Sequence, residues 1–569
     1  MSDIEIEVSY PAVSEAVPAP ETPNESNASA AKPQRQFGGY AMLVAAGILL
    51  SRVAGLVRTV VFARYFGASS AADAFNVALK VPNFLQNMLG EGVLSASFIP
   101  VYSRLIAKGE HKLAGRVAGV FVSFLALGVT VLVLVGVFAT PVILQLTAAG
   151  LPPDVMELAI RLTRIIFPGV GLLVLYAWAL GILNTHRQFF IGYVAPVLWS
   201  AAMIATMVIF GMRMRGAPLA TALAWGTLIG CALQFALEVP FVLRHAKHLS
   251  FGFDRTLEPV RTIFRNILPV VGGRGVVQIS GYVDTFLATF IARGAVSSLL
   301  YAQTIYMLPI SVFGMAVANA ELPQMSGVTG TDDEIHASLR RRLDRSIRQV
   351  AFFVIPSAVA FVLIGRLLIT AMYERGEFTR DATYLVWYIL IGSSIGLLPA
   401  TLGRLYSSTF YALHDTRTPF RIAIARVIGG AALALTFAFP LRPIFAGFVN
   451  AVGLPMPHTT GGAAALGVVG ISTASALAAW IEFTLLRGGI HKRIGTGAPK
   501  TGFLLRLWTA ALLAGVAALA VDSLDMRLPL QKFAEALVAC GVFGVVYFGV
   551  AFAFGVPEVR ATLSRFIRR

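Results

Sequence analysis

Residues 49–100 read LLSRVAGLVRTVVFARYFGASSAADAFNVALKVPNFLQNMLGEGVLSASFIP. The stretch is apolar enough to enter a bilayer. It nevertheless keeps Arg52, Arg58 and Arg64 within or at the end of one hydrophobic span, and Asp73, Lys80 and Glu91 in the next. A charge at the centre of a transmembrane helix costs roughly 2.5–3.5 kcal/mol on insertion scales, so such residues face a polar cavity with a partner. Several together imply a wet, positively charged chamber suited to an anionic cargo. A spacing of six residues turns an ideal helix by about 240°, so the three arginines do not share one stripe. Arg64 lies near the outer end, where it can snorkel; Arg52 and Arg58 lie deeper, and at least one should face the cavity.

The rest of the chain agrees with this membrane reading. Of 569 residues, 57% are hydrophobic and only 13% charged, about half the charged share of a soluble globular domain. Apolar runs of about 20 residues, each long enough to cross a hydrocarbon core about 30 Å thick, recur after position 40. The expected fold class is an all-α polytopic membrane protein. The net charge is +17, but the basic residues fall in short loops beside hydrophobic spans, which is a topological signal and not that of a nucleic-acid binder. Cys231 and Cys540 fall inside spans and read as small core residues. Residues 1–37, rich in Pro, Ala, Ser and Glu, read as a disordered tail with no cleavable signal peptide.

Breaks in the apolar pattern give about fourteen helices: 39–66, 70–106, 112–142, 156–185, 188–212, 216–244, 259–292, 296–324, 344–370, 381–412, 418–440, 461–487, 502–522 and 532–555. Loops on one side carry Lys108, Lys112, Arg116, Arg187, Arg244, Lys247, Arg255, the arginines of 340–348, Arg417, Arg421, Lys492, Arg493, Lys500, Arg560, Arg565, Arg568 and Arg569. Loops on the other side are short, mixed or acidic, with Asp154, Glu157, Glu374, Glu377, Asp381, Asp522 and Asp525. The positive-inside rule then puts both termini in the cytoplasm, as an even number of spans also requires.

An internal repeat organises the first twelve spans. Gly67-Ala68 is followed by Pro82 and Pro100; Gly294-Ala295, offset by 227 residues, is followed by Pro309 and Pro323. That offset is about six helices, an even number, so the halves read as parallel repeats related by an axis along the membrane normal. The alternative is two membrane helices with a common proline habit. The repeat divides the chain into a cytoplasmic tail (1–37), an N-terminal six-helix lobe (38–250), a C-terminal six-helix lobe (251–495) and two extra helices with a basic end (496–569).

Helix breaks are expected at Pro82, Asn83, Gly90 and Gly92 in the second span, and at Gly272 and Gly273 in the seventh. Irregular backbone at membrane depth survives where it lines a cavity, and matched breaks in two halves point to a cargo site. A structural kink is the competing account. Glu91 and Arg274 beside the breaks favour function. Asp73 has two readings: a carboxylate at its own helix N-terminus, or a partner for Arg58 or Arg64 when the outer side is shut. Arg161 and Arg164 share a helix face in the fourth span, and Arg404 lies in the tenth. Glu238 and Glu321 fall near cytoplasmic ends, where charge is solvated. Asp284 lies deeper and is a candidate ion or proton site. No metal-ligand cluster, cofactor motif, nucleophile–base constellation or aspartate-rich surface loop is evident, so the chain is not expected to be an enzyme.

The run Ser51-Arg-Val-Ala-Gly55-Leu-Val-Arg58, then Ala63-Arg-Tyr-Phe-Gly67-Ala, Ala72-Asp73-Ala-Phe75, Val81-Pro-Asn83 and Gly90-Glu-Gly92 resembles the MurJ/MviN family of the MATE-like exporter superfamily. The similarity continues through Gln278-Ile-Ser280, Arg375-Gly-Glu-Phe378 and 410–419 (FYALHDTRTP). The resemblance implies two six-helix lobes plus a C-terminal pair forming an apolar groove. It also implies transport of undecaprenyl-pyrophosphate-linked peptidoglycan precursor (lipid II) from the inner to the outer leaflet by alternating access, in the bacterial cytoplasmic membrane. The implied partners are that lipid-linked pyrophosphate, membrane lipids and cell-wall synthesis proteins. Carried over residue by residue, the cavity cations are Arg52 and Arg58, and the carboxylates are Asp73 and Glu91. The chain departs from the pattern at Gln86, Asn87, Gln303, Thr304, Met307 and Thr59, where charged residues are common in the family. Arg274 is the expected substitute for the arginine missing from the eighth span. These losses leave open a same-fold transporter of a different lipid-linked or amphipathic cargo, or a non-transporting envelope scaffold.

Overall fold

A computed structural model describes residues 34–458, 461–495, 501–522 and 531–560; within these, the side chains of 34–46, 48, 91–92, 268–280, 319, 522 and 531 lie outside the described set. The expected disordered tail and the terminal arginines after Arg560 also fall outside it. The described chain is helical: α1 (Gln34–Phe66), α2 (Ser70–Leu89), α3 (Glu91–Ala107), α4 (His111–Thr147), α5 (Pro153–Thr185), α6 (Phe189–Phe210) and α7 (Gly216–His245) form the first half. The second half holds α8 (Glu258–Ala288), α9 (Ala295–Pro309), a π-helical turn (Ile310–Met315), α10 (Ala316–Ser326), α11 (Asp332–Leu363), α12 (Gly365–Tyr373), α13 (Arg380–Ser394), α14 (Leu397–Ala412), α15 (Arg417–Ala438), α16 (Arg442–Ala451) and α17 (Gly467–Ile494). The pair α18 (Thr501–Asp522) and α19 (Gln531–Ala553) closes the described chain.

Among the described residues, ten helices are long and apolar enough to cross a bilayer, and the α13–α14 pair, bent by 46°, makes an eleventh. With α1, the α2–α3 pair and α8, the rods match the fourteen apolar runs of the sequence. The short α16 was not foreseen; Ile444, Phe448 and Val452 on it are exposed.

Local chemistry explains the boundaries. Ser69 caps α2 through its side chain, which accepts from Ala72 N at 3.3 Å. Thr331 and Glu334 form a reciprocal capping box at α11 behind Asp332 and Asp333, a pairing that satisfies two otherwise orphaned N–H groups and suits the positive helix end. Gly294, at φ +81°, starts α9.

Two expected breaks are corrected. Pro82 and Asn83 do not interrupt α2, which runs unbroken to Leu89; the chain breaks at Gly90 instead, and Gly92 belongs to α3. Proline removes one donor, but the buried flanks Ala78 and Val81 hold the helix across it. Gly272 and Gly273 likewise lie within the continuous α8. Glycine keeps its N–H, so the ladder has no missing rung there. The irregularity of the second half sits one helix later, in the π-helical turn after Pro309.

Packing follows the two lobes with one exception. α2, α3, α4, α6 and α7 gather around α5 or its neighbours, and α13, α14 and α15 gather around α17. α8 touches both: Val260 and Ile263 near its start are buried with α3 and α4, while its far end meets α2, α9, α15 and α17. The pair α18–α19 packs on α11 and α12 through Ala510, Ala511, Ala514, Phe543 and Tyr547. Tyr547 Oη donates to the Phe352 carbonyl at 2.6 Å.

Candidate functional site

The two Gly-Ala turns found in the sequence meet face to face. Gly67 and Gly294 both hold positive φ, +56° and +81°, and a Cβ on Gly294 would run into the Ala68 carbonyl oxygen. Only glycine meets both demands, a left-handed backbone and a backbone-to-backbone approach.

Asp73 is 2% exposed and reaches across to the other lobe. Its carboxylate accepts from Gly294 N at 2.6 Å and Ser297 N at 2.8 Å, and from the Ser297 hydroxyl. It therefore caps α9, pairing a buried negative charge with orphan N–H groups at a positive helix end. The first reading offered for it holds, since Asp73 stands in the first turn of α2, although its hydrogen bonds go to the start of α9; the second is corrected, because the partner is not an arginine. A helix start supplies several aligned donors at short range, whereas Arg58 is held elsewhere and Arg64 is exposed.

The reciprocal contact comes from Tyr301, whose hydroxyl donates to the Gly67 carbonyl at 2.9 Å. Around this centre, Glu377 N donates to Arg64 O at 2.8 Å, Arg215 pairs with Glu377 at 3.3 Å, and Arg293 pairs with Asp154 at 3.0 Å. All these contacts lie at the mixed-charge end of the bundle. They form a seal between lobes.

Beneath the seal, Lys80 is a further cation that reaches from α2 to α8. Its Nζ donates to Gly281 O at 2.8 Å and to Thr285 Oγ1, and lies 5.0 Å from the Tyr282 ring centroid. Tyr282 returns a bond to Lys80 O at 2.8 Å. Asp284 lies within electrostatic reach of Lys80 and Arg426, and its two oxygens each accept from Ser475 Oγ at 3.0 Å. Arg426 pairs with Glu482 at 3.0 Å. Lys80, Asp284, Ser475, Arg426 and Glu482 thus form a polar band that runs from α2 into the C-terminal lobe.

The expected arginines are placed differently. Arg58 stacks on Trp199 of α6 at 4.4 Å, a cation–π contact within the N-terminal lobe. Arg52 is exposed. The side chains of Arg274 and Glu91 lie outside the described residues. Glu238 is buried at 0% exposure against Gly192 of α6, which corrects the solvated end expected for it. Glu321 lies 3.7 Å from Arg342, and Arg161 forms an exposed pair with Glu157 at 3.3 Å.

Sequence reasoning noted Lys80 only as an intramembrane charge and missed Ser297, Tyr301, Ser475, Arg426 and Glu482. A signal existed for Lys80. It follows Asp73 by seven residues, a rotation of about 700°, so both lie on one face of α2.

With this geometry in hand, comparisons with known proteins converge. Residues 62–537 match the family model for the lipid II flippase MurJ. A lipid II flippase MurJ of Burkholderia cenocepacia is 30% identical, over 90% of this chain and 97% of the relative. A solved lipid II flippase MurJ in an inward closed conformation superposes with a TM-score of 0.72 at 24% identity, covering 92% of this chain and all of the other. An inward-facing multidrug resistance MATE family transporter of the MOP superfamily shares the fold, with a TM-score of 0.59 at 17% identity over 80% of this chain and 100% of the other.

Proposed function

The chain belongs to the MurJ family of lipid II flippases, and from that premise we propose how its own residues move the cargo. It is a multi-span membrane transporter, not an enzyme: the lipid-linked substrate changes leaflet with no bond made or broken. The seal formed by Asp73, Gly294 and Ser297 at the mixed-charge end is the observation that carries the mechanism.

With both termini in the cytoplasm, that end faces outward. The seal then holds the outer side shut while the cavity receives lipid II from the inner leaflet. Arg52, Arg58 and Arg274 are the cations for the pyrophosphate, joined by Lys80. Guanidinium groups stay charged and present paired donors to phosphate oxygens, while an ammonium acts as a point charge. Asp73 and Glu91 are the gate carboxylates, and Asp284 with Ser475 is the ion or proton site. When the lobes rock apart, Asp73 gives up the α9 N–H groups and the outer side opens. Alternating access requires this contact to be replaceable, and a carboxylate entering water regains its hydration. The lobe division at residues 250 and 251 is the hinge unit, with α8 as the helix shared between bodies.

The test is replacement of the endogenous lipid II flippase in a bacterial host by this chain. Restored growth, with lipid II appearing in the outer leaflet, is expected; lysis despite normal membrane abundance refutes the reading. Thiol labelling of cysteines placed near residues 34 and 560 reads the topology, and labelling from outside overturns it.

A further inference from the structure

At the basic end of the N-terminal lobe, far from the seal, two cavities lie along one strap of chain. The first, about 160 Å³, is lined by Tyr102, Ile106, His111, Gly115 and residues 245–248. The second, about 290 Å³, is lined almost wholly by apolar groups, among them Val122, Ala126, Trp178, Phe235, Leu243 and Phe251. The strap, residues 246–257, follows α7 and lies tightly on α4. A Cβ on Gly115 or Gly119 would strike the backbone of His248 or Ser250. Gly252 N donates to Ser123 Oγ at 3.3 Å, Arg116 pairs with Asp254 at 2.8 Å, and Phe253 meets Phe124 edge-on at 5.2 Å.

The polar cavity gathers basic side chains. His245 lines it, with the His186 ring behind it tilted by 41° at 5.3 Å between centroids, and Tyr102 Oη lies 3.1 Å from His186 Nε2. His111, Lys247 and His248 complete the lining. Desolvation, and then the neighbouring His245 and His111, hold the His186 imidazole below its ordinary range. Glu110 at the start of α4 offers no side-chain cap to the helix. The cavity therefore presents cations, imidazoles and a helix start to whatever enters.

From His111 and Gly115 to Val122 and Ala126 is eleven residues of α4, a descent of about 16 Å. That is close to half of a hydrocarbon core about 30 Å thick. Phe251 and Phe253 stand 68% and 61% exposed on the strap, beside Lys247 and Arg255, a mixture of aromatic and basic groups typical of the bilayer interface. A headgroup pocket lies above a chain-sized apolar slot, at the separation one lipid leaflet provides.

We propose that this strap and α4 form a binding site for an anionic phospholipid, its phosphate in the histidine–lysine cavity and one acyl chain in the slot. The site is separate from the passage between lobes, and its occupant is a resident lipid, not cargo.

Native mass spectrometry of the purified full chain, titrated with phosphatidylglycerol or phosphatidylethanolamine, tests it. Phosphatidylglycerol should be retained at least about tenfold more strongly. Charge reversal by the exposed pair Lys247→Glu and His248→Glu should lower that retention about tenfold, since each basic group near the surface contributes on the order of 1 kcal/mol toward an anionic lipid. Filling the slot with Ala126→Trp should lower it comparably. Should that variant fold poorly, Leu243→Ser at a 55% exposed position reads the same slot. Equal retention of the two lipids, indifference to the charge reversal, or displacement of the lipid by millimolar inorganic phosphate alone would overturn the proposal; the last result would mark a free-anion site.

Discussion

The second and eighth spans begin alike and end differently in chemistry. At the common offset of 227 residues, Gly67 answers to Gly294 and Ser70 to Ser297, but Asp73 answers to Leu300 and Lys80 to Met307. Each span reaches into the other's glycine turn: Asp73 takes the Gly294 and Ser297 N–H groups, and Tyr301 gives to the Gly67 carbonyl. One copy brings the charges and the other brings the donors. Two carboxylates meeting at such a seam would repel across a low-dielectric gap, so near-symmetry of the backbone is joined to asymmetry of charge.

The largest expected effect comes from removing the charged member. Asp73→Ala leaves two buried N–H donors without their acceptor, about 1–3 kcal/mol each. Growth supported under flippase depletion should be lost while membrane abundance is kept, and Asp73→Asn should fall between, because an amide oxygen replaces only part of the carboxylate's accepting capacity. The exchange Asp73→Leu with Leu300→Asp should not rescue. Gly67 N already bonds Ala63 O at 2.8 Å, closing α1, so it has no free donor to offer. Rescue by the exchange would break the asymmetry argument.

Lys80→Met installs the residue that the second copy carries. It removes the ammonium from the Gly281 carbonyl and from the neighbourhood of Asp284. Lipid II flipping in vesicles should drop by about tenfold or more, in line with the 1.5–3 kcal/mol of a charged hydrogen bond, and Lys80→Arg should retain part of the rate. Wild-type flipping by Lys80→Met would return the role of bridging cation to the arginines.

How much of this was legible beforehand follows from which interactions are local. The fourteen apolar rods and their mixed or basic loops are written in runs of about 20 residues, and most emerged within a few positions; the ninth begins twelve residues earlier than expected, at Asp332, because its first turns are charged and carry no apolar run. The Gly-Ala turns were visible as an offset, because glycine is needed there for its backbone. The partner of Asp73 was not: two of its three donors are main-chain N–H groups 221 and 224 residues away, the third is the Ser297 hydroxyl, and a backbone donor carries no side-chain signature. Gly272 and Gly273 misled for a related reason. Glycine permits a break without requiring one, and α8 runs through it. The same holds for Arg58, where Trp199 supplies a π-face in place of the protein carboxylate that an intramembrane guanidinium leads one to expect.

Smaller effects probe the turns themselves. Gly294→Ala forces a Cβ toward the Ala68 carbonyl at a φ of +81°, a strain of about 1–3 kcal/mol. Gly67→Ala, at a φ of +56°, should lower the melting temperature similarly. Because the turns touch, the double variant should lose less than the sum of the two, since a seam already opened cannot be opened again. Strict additivity would mean that the two turns are independent.

The smallest effect is expected at Tyr301. Its ring is buried, 5.2 Å from Tyr373 and 5.3 Å from Phe378, and Tyr301→Phe keeps all of that packing. Only the bond to the Gly67 carbonyl is lost, a neutral pair worth about 0.5–1.5 kcal/mol. The variant should therefore melt slightly lower and still support growth, in contrast to Asp73→Ala. If instead Tyr301→Phe abolishes growth at normal abundance, the two reciprocal contacts are equal in weight. The seal would then depend on closing both turns at once, and not on the charge that only one of them carries.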